Sequence, residues 1–171
     1  MRIGIFGGSF DPIHRGHIHF AKSALRELQL DRLYFVPAKI SPLKEPSVAA
    51  GFHRSKMARL AIQTEPRFRL ETCELKREGP SYSYLTARRF KRRFHRAELF
   101  FLLGDDALKT FKKWKKYKQI LKNASLVVVE RKKMLPYSST EVRAKLREGK
   151  SILNACPKAV CSYIKKNKLY V

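Results

Sequence analysis

The segment Gly7-Gly8-Ser9-Phe10-Asp11-Pro12-Ile13-His14-Arg15-Gly16-His17 follows the apolar run Ile3 to Phe6 and leads directly into Ile18, Ala21, Leu25 and Leu28. A short apolar run followed by apolar residues at helical spacing predicts a buried strand, a tight turn and an amphipathic helix. Such a junction constrains both fold and chemistry. The glycines permit positive φ and close backbone approach, while the N–H groups and positive dipole end of the helix favour an anion, best of all a phosphate. His14 and His17 stand three positions apart beside that turn, so a loop and a first helical turn aim both imidazoles at one point. No cysteine or carboxylate cluster accompanies them locally, which argues against a three-ligand metal site. His53 and His95, outside such a motif, are expected to be satisfied structural residues.

A chain of 171 residues with 44% hydrophobic content buries the core of one domain. Its longest apolar runs, Leu99 to Leu103 and Leu126 to Val129, are far too short to span a bilayer, and a cytoplasmic protein is expected. Cys73, Cys156 and Cys161 form no C-x-x-C pair, so buried or incidental thiols are expected.

The rest of the chain alternates. Leu33 to Val36, Phe68 to Leu75, Leu99 to Leu103 and Leu126 to Val129 are predicted strands. Phe52 to Thr64, Tyr82 to Phe94 and Asp106 to Leu121 are predicted helical, the last as one or two helices around Trp114. This βαβ rhythm predicts an α/β fold: a Rossmann-like, mostly parallel sheet of about five strands, with helices on both faces and ligands at the carboxyl ends of the strands. Gly104 and Asp105 fall at that edge, and Pro37 to Pro46 is expected to be an active-site loop.

A second phosphate motif opens a helix near the C-terminus, in Tyr137-Ser138-Ser139-Thr140-Glu141-Val142-Arg143. Ser138 or Ser139 suits an N-cap with an acid in the first turn. Arg143, one turn in, adds a guanidinium able to hold a phosphate bidentately. Two anion sites on one sheet suit a polyphosphate.

Charge is the remaining feature. The formal net charge is +24, and Ala87 to Asn123 alone carries thirteen Lys or Arg against three acids. Arg88, Arg89, Lys91, Arg92, Arg93 and Arg96 interleave with Ala87, Phe90 and Phe94 as on an amphipathic helix. A solvated basic face is the default expectation, and a polyanion-binding surface over residues 88–118 is the competing one; salt-sensitive adhesion to nucleic acid is expected in either case.

Together, these residues resemble the nucleotidylyltransferase superfamily, which pairs an H-x-G-H turn with a Ser/Thr-rich, Arg-containing helix start. Within it the chain looks most like the bacterial nicotinate-nucleotide adenylyltransferases. The resemblance runs through Gly7 to His14, Val36-Pro37 with Pro42 and Lys44, Arg54 with Met57, Glu74-Leu75, and Ser81-Tyr82-Ser83. It continues through Gly104-Asp105-Asp106, Trp114, Pro157, Val160, Tyr163-Ile164 and Leu169-Tyr170.

The resemblance implies one nucleotidylyltransferase domain over residues 1–171, its C-terminal helical part from about 138 carrying the second motif. It implies transfer of AMP from ATP to nicotinate mononucleotide, with Mg²⁺ bridged through substrate phosphates rather than caged by protein. His14, His17 and Arg143 would be catalytic. Gly7, Gly8, Ser9, Phe10, His17, Asp106, Ser139, Thr140 and Arg143 would bind ATP. Lys44, Ser83, Thr86 and Trp114 would bind the acceptor, in a monomer or homodimer. Three departures stand out: Ser81 to Thr86 lacks the acid usual in the family, Leu43 replaces a common histidine, and only five residues, Lys132 to Pro136, join Arg131 to Tyr137. Another adenylyltransferase, such as the pantetheine-phosphate enzyme, and a low-activity nucleic-acid-binding paralogue remain open readings.

Overall fold

In a computed structural model of the chain, residues 1–43, 45–129 and 136–171 are described. The expected strand–turn–helix is present as β1 (Arg2–Gly8) and α1 (Arg15–Glu27), followed by β2 (Arg32–Pro37), α2 (Gly51–Ile62) and β3 (Phe68–Leu70). Then come α3 (Cys73–Lys76), α4 (Ser83–Arg93), β4 (Glu98–Gly104), α5 (Asp105–Phe111), α6 (Tyr117–Asn123), β5 (Ser125–Val129), α7 (Ser139–Arg147) and α8 (Lys158–Lys166). The strands form one sheet in the order β3-β2-β1-β4-β5, every neighbouring pair parallel. β1 is central. The chain builds outward from it in one direction through β2 and β3, then returns to add β4 and β5 on the other side, so the topological switch lies between β1 and β4.

Because helices cover both faces, the inner positions of β1, β2 and β4 are apolar and alternate only in which core they enter. Phe6, Leu33, Phe35, Phe100 and Leu102 pack with α1, α2, α7 and α8. Ile3, Ile5, Tyr34, Val36, Leu99, Phe101 and Leu103 face the opposite layer, with Tyr84, Ala87 and Phe90 of α4, Phe111 of α5 and Ile120 of α6.

The predicted strand Phe68 to Leu75 is shorter than expected. After Leu70 the chain turns: a Glu71 carboxylate oxygen accepts the Cys73 N–H at 3.0 Å, and residues 73–76 form α3. The run Asp106 to Leu121 divides into α5 and α6, with Lys116 in the left-handed region before α6. His53 joins α2 to α8 through the Tyr163 hydroxyl at 2.9 Å, whereas His95 is exposed rather than satisfied in a core. All three cysteines are free thiols, and burial pushes Cys73 up to about 11 and Cys156 up to about 12.

Phe35 is fully buried and its ring meets those of Phe6, Phe10 and Phe68. Phe35→Ala is expected to lower the free energy of unfolding by about 3–5 kcal/mol through lost burial and a residual cavity. Denaturant titration followed by circular dichroism measures it; a loss below about 1 kcal/mol would contradict this packing.

Candidate active site

β1 delivers Gly7 and Gly8 to the carboxyl edge of the sheet, and the next nine residues form the floor of the site. The expectation that the glycines supply positive φ is not met. Phe10 takes that role, with φ of 49°. A left-handed conformation costs a bulky residue about 1–2 kcal/mol, and here burial of the ring offsets it: Phe10 is 1% exposed and packs edge-on to Phe6. Glycine at position 8 gives close approach instead, since a Cβ there would lie 3.0 Å from the Phe10 ring and press on it.

His14 is the N-cap of α1 and His17 its third residue, in a reciprocal capping-box arrangement. The His14 amide donates to Nδ1 of His17 at 3.2 Å, and the two rings stack with centroids 3.7 Å apart. An Nδ1 that accepts leaves the proton of the neutral His17 ring on Nε2, where it is a donor. Both imidazoles therefore stand at the positive end of α1, as the spacing implied.

The second motif meets the first directly. Ser138 caps α7 and exchanges bonds with Glu141, its hydroxyl accepting the Glu141 N–H at 3.1 Å. The Ser139 hydroxyl donates to the Pro12 carbonyl at 3.0 Å. Arg143 donates through Nη1 to the Asp11 carbonyl at 2.7 Å and through Nη2 to the Thr140 hydroxyl at 3.3 Å. The starts of α1 and α7, distant in sequence, thus share one loop. Across the switch, Gly104 ends β4, and Asp105 and exposed Asp106 open α5 on the same sheet edge. Asp105 Oδ1 accepts the Asp106 N–H at 2.9 Å.

A buried polar lattice holds this loop in place. The Asp11 carboxylate, 4% exposed, accepts the Val48 N–H at 2.7 Å, the Ala49 N–H at 3.1 Å and the Tyr170 hydroxyl at 2.7 Å. Arg54, 1% exposed, donates to the carbonyls of Ala49 at 2.9 Å, Ser9 at 2.7 Å and Lys39 at 3.4 Å. Burial lowers the Arg54 pKa, while Asp11 and Tyr170 favour its charge. Burial and the bond to Asp11 raise the Tyr170 phenol. The sequence contains all three residues in the motifs quoted above but assigns them no role. For Arg54 a signal exists: it sits in the buried stripe of α2 with Met57, Ala58, Ala61 and Ile62, where a charge demands a partner.

The proposed acceptor residues divide. Ser83 is the first residue of α4, half-buried. Lys115, next to Trp114, lies with Nζ 4.5 Å from the Tyr82 ring centroid, which brings the α5–α6 turn to the start of α4. Trp114 is itself half-buried, packing on Phe111 and Phe101, so it serves the core and keeps part of its surface exposed. Thr86 corrects the expectation of a ligand contact: it is 1% exposed and its hydroxyl donates to the buried Glu74 carboxylate. Lys39 N–H donates to the Ser81 hydroxyl at 2.8 Å, tying the loop after β2 to the same corner. Leu85, where the family carries an acid, packs against the core. Lys44 and most of the short connection before Tyr137 lie outside the described residues.

Among the described residues, no group of three His, Cys, Asp or Glu side chains is placed to cage a metal ion. The donors gathered at the turn are imidazole and guanidinium N–H groups, which suit phosphate oxygens rather than a bare cation.

A parallel sheet with two helix starts and a histidine pair at its switch point is the arrangement of a nucleotidyltransferase. The chain belongs to the cytidylyltransferase-like family, which matches residues 5–145. Within that class it falls among the nicotinate-nucleotide adenylyltransferases. It is 36% identical to the nicotinate-nucleotide adenylyltransferase of Bacillus subtilis, over 99% of this chain and 98% of that protein. It is 43% identical to a protein of Thermus thermophilus named probable nicotinate-nucleotide adenylyltransferase, over 99% and 100% of the two chains. The fold is shared with a structure from Vibrio parahaemolyticus, with a TM-score of 0.82 at 21% identity, over 99% of this chain and 96% of that one. It is also shared with the nicotinic acid mononucleotide adenylyltransferase of Plasmodium falciparum complexed with NaAD, with a TM-score of 0.75 at 19% identity, covering 99% and 97%.

Asp11→Asn keeps the side-chain shape but turns an NH₂ or a weaker acceptor toward donors. It is expected to lower unfolding free energy by about 1–3 kcal/mol, measured by thermal or denaturant unfolding; an unchanged midpoint would refute the lattice. Glu74 gives a pH signature. Burial raises its folded pKa above the ordinary 4.5, against opposing bonds from Thr86 and Ser81 and the charge of Arg77. The folded state therefore holds the proton more tightly, and this residue's contribution to stability is greatest below about pH 4.5 and declines as pH rises toward the folded value. Stability curves of the wild type and Glu74→Gln are expected to diverge over that interval, the variant losing less as pH rises; parallel curves would contradict it.

Proposed function

We propose that the chain transfers AMP from ATP to nicotinate mononucleotide, forming deamido-NAD and pyrophosphate, in the cytoplasm. The observation that carries this reading is the convergence of the α1 and α7 starts on one loop, with His14, His17 and Arg143 around it. In the reaction an oxygen of the acceptor 5′-phosphate forms a bond to the α-phosphorus of ATP, and the bond from that phosphorus to the β-bridging oxygen breaks. The acceptor is already an anion, so no general base is required. Catalysis reduces to alignment and to donors placed where charge grows.

His17, with its proton on Nε2, and His14 beside it donate to the α- and β-phosphate oxygens as negative charge builds. Ser139, Thr140 and Arg143 take the pyrophosphate end of ATP. Gly7, Gly8, Ser9 and Phe10 shape the backbone cradle, and Asp106 accepts ribose hydroxyls at the β4 edge. Ser83, Trp114 and Lys44 bind the acceptor, with Thr86 acting through Glu74. Mg²⁺ bound with the triphosphate would supply charge neutralisation beside His14, His17 and Arg143, held through the substrate rather than by a protein cage.

His17→Ala is expected to retain the fold and to reduce turnover by about 100-fold or more. Pyrophosphate release checks it, with ATP, Mg²⁺ and nicotinate mononucleotide, nicotinamide mononucleotide or 4′-phosphopantetheine supplied separately. Release with nicotinate mononucleotide supports the assignment; preference for another acceptor, or full activity in the variant, overturns it.

A further inference from the structure

The layer formed by α4, α5 and α6 carries a charge that the site at the sheet edge does not use. The inner face of α4 is spent on the core, where Tyr84, Ala87 and Phe90 are buried. Its outer face presents Arg88, Arg89, Lys91, Arg92 and Arg93, all exposed. Four like-charged pairs result at i,i+3 or i,i+4: 88 with 91 and 92, and 89 with 92 and 93. Each destabilises a free helix. α6 packs alongside α4 and adds exposed Lys118 and Lys122, again one turn apart.

The three acids of this region lie off the α4 and α6 helices. Glu98 pairs with Arg2 at 2.7 Å, and Asp105 and Asp106 open α5 at the sheet edge. Glu71, from outside it, pairs with Arg93 at 3.0 Å. At the far end of α4, Arg93, His95 and Arg96 help line a recess of about 260 Å³.

We propose that this layer is a docking face for the phosphodiester backbone of nucleic acid, binding through charge and without sequence readout. Three features favour it over a lipid surface. The buried apolar side chains of α4 face the core, and the large apolar residues exposed in the layer are aliphatic, Leu108 and Leu121, while Phe94, Trp114 and Tyr117 are partly buried against that core. The cations lie on two short helices side by side, a ridge rather than one long amphipathic helix. An 11-residue helix is about 16 Å long and lies along about nine phosphate charges of a duplex. A polyanion in that position relieves the repulsion that the free protein carries.

The test compares two sets of four substitutions in the full chain. One is Arg88→Gln, Lys91→Gln, Arg92→Gln and Lys118→Gln on the ridge. The other is Lys22→Gln, Arg26→Gln, Lys165→Gln and Lys166→Gln, exposed on α1 and α8 across the sheet. Binding to a 20-nucleotide RNA, a 20-base-pair DNA duplex and phosphatidylserine vesicles is titrated against salt. Thermal unfolding and pyrophosphate release report the fold. The ridge set is expected to weaken nucleic-acid binding at least about 10-fold near 100 mM salt and to flatten the salt slope by about 3. Its thermal midpoint should hold or rise, and the opposite set should change binding by less than about 3-fold. Equal losses from both sets would reduce the effect to net charge and overturn the proposal. So would an unaffected ridge variant, or vesicle binding tighter than nucleic-acid binding.

Discussion

The site depends on one buried carboxylate. Asp11 accepts three hydrogen bonds, two from the loop after β2 and one from Tyr170 next to the C-terminus. A buried carboxyl group is tolerated only where hydrogen bonds replace its lost hydration, so the three segments must arrive together for the loop to form. Arg54 completes the arrangement from α2, fixing the Ser9 and Ala49 carbonyls on either side. The result is a loop held from behind by buried polar groups.

From that anchor the division of labour follows. The backbone carbonyls of Asp11 and Pro12 are turned toward α7, where Arg143 and Ser139 donate to them. This places a guanidinium and two hydroxyls on the loop that carries the imidazole pair. The acceptor corner rests on a second buried acid: Glu74 receives Thr86, and the neighbouring Ser81 receives the Lys39 amide. Two buried carboxylates thus stand behind the two halves of the site, one supporting the triphosphate end and the other the start of α4. The basic ridge belongs to neither.

Much of the fold was legible from periodicity. Five apolar runs became five parallel strands because a sheet covered on both faces needs unbroken apolar strands. The exception, β3, stops at Leu70 because Glu71 folds back on the Cys73 amide, a local hydrogen bond that an apolar pattern does not encode. Within the site, His14, His17, Ser139 and Arg143 were legible because their chemistry is carried by residue type and short spacing. Asp11, Tyr170 and Glu74 were not, since their importance comes from partners 12 to 159 positions away in the chain, and Arg54 was legible only in part, its partners lying 5 to 45 positions away. Thr86 was misassigned for the same reason: a hydroxyl in a motif looks like a ligand contact until its burial against Glu74 is known.

The sequence by itself determined the α/β class, the family, the phosphate-binding turn and the pairing of two histidines on one helix start, because each rests on contacts within a few residues. Only the tertiary structure decided which residue carries the left-handed turn, which carboxylates are structural and how α7 meets the α1 loop. Only it showed that the cations of α4 and α6 form one surface. Those outcomes depend on burial and long-range closure, and desolvation gives a polar group its role only after the chain has surrounded it.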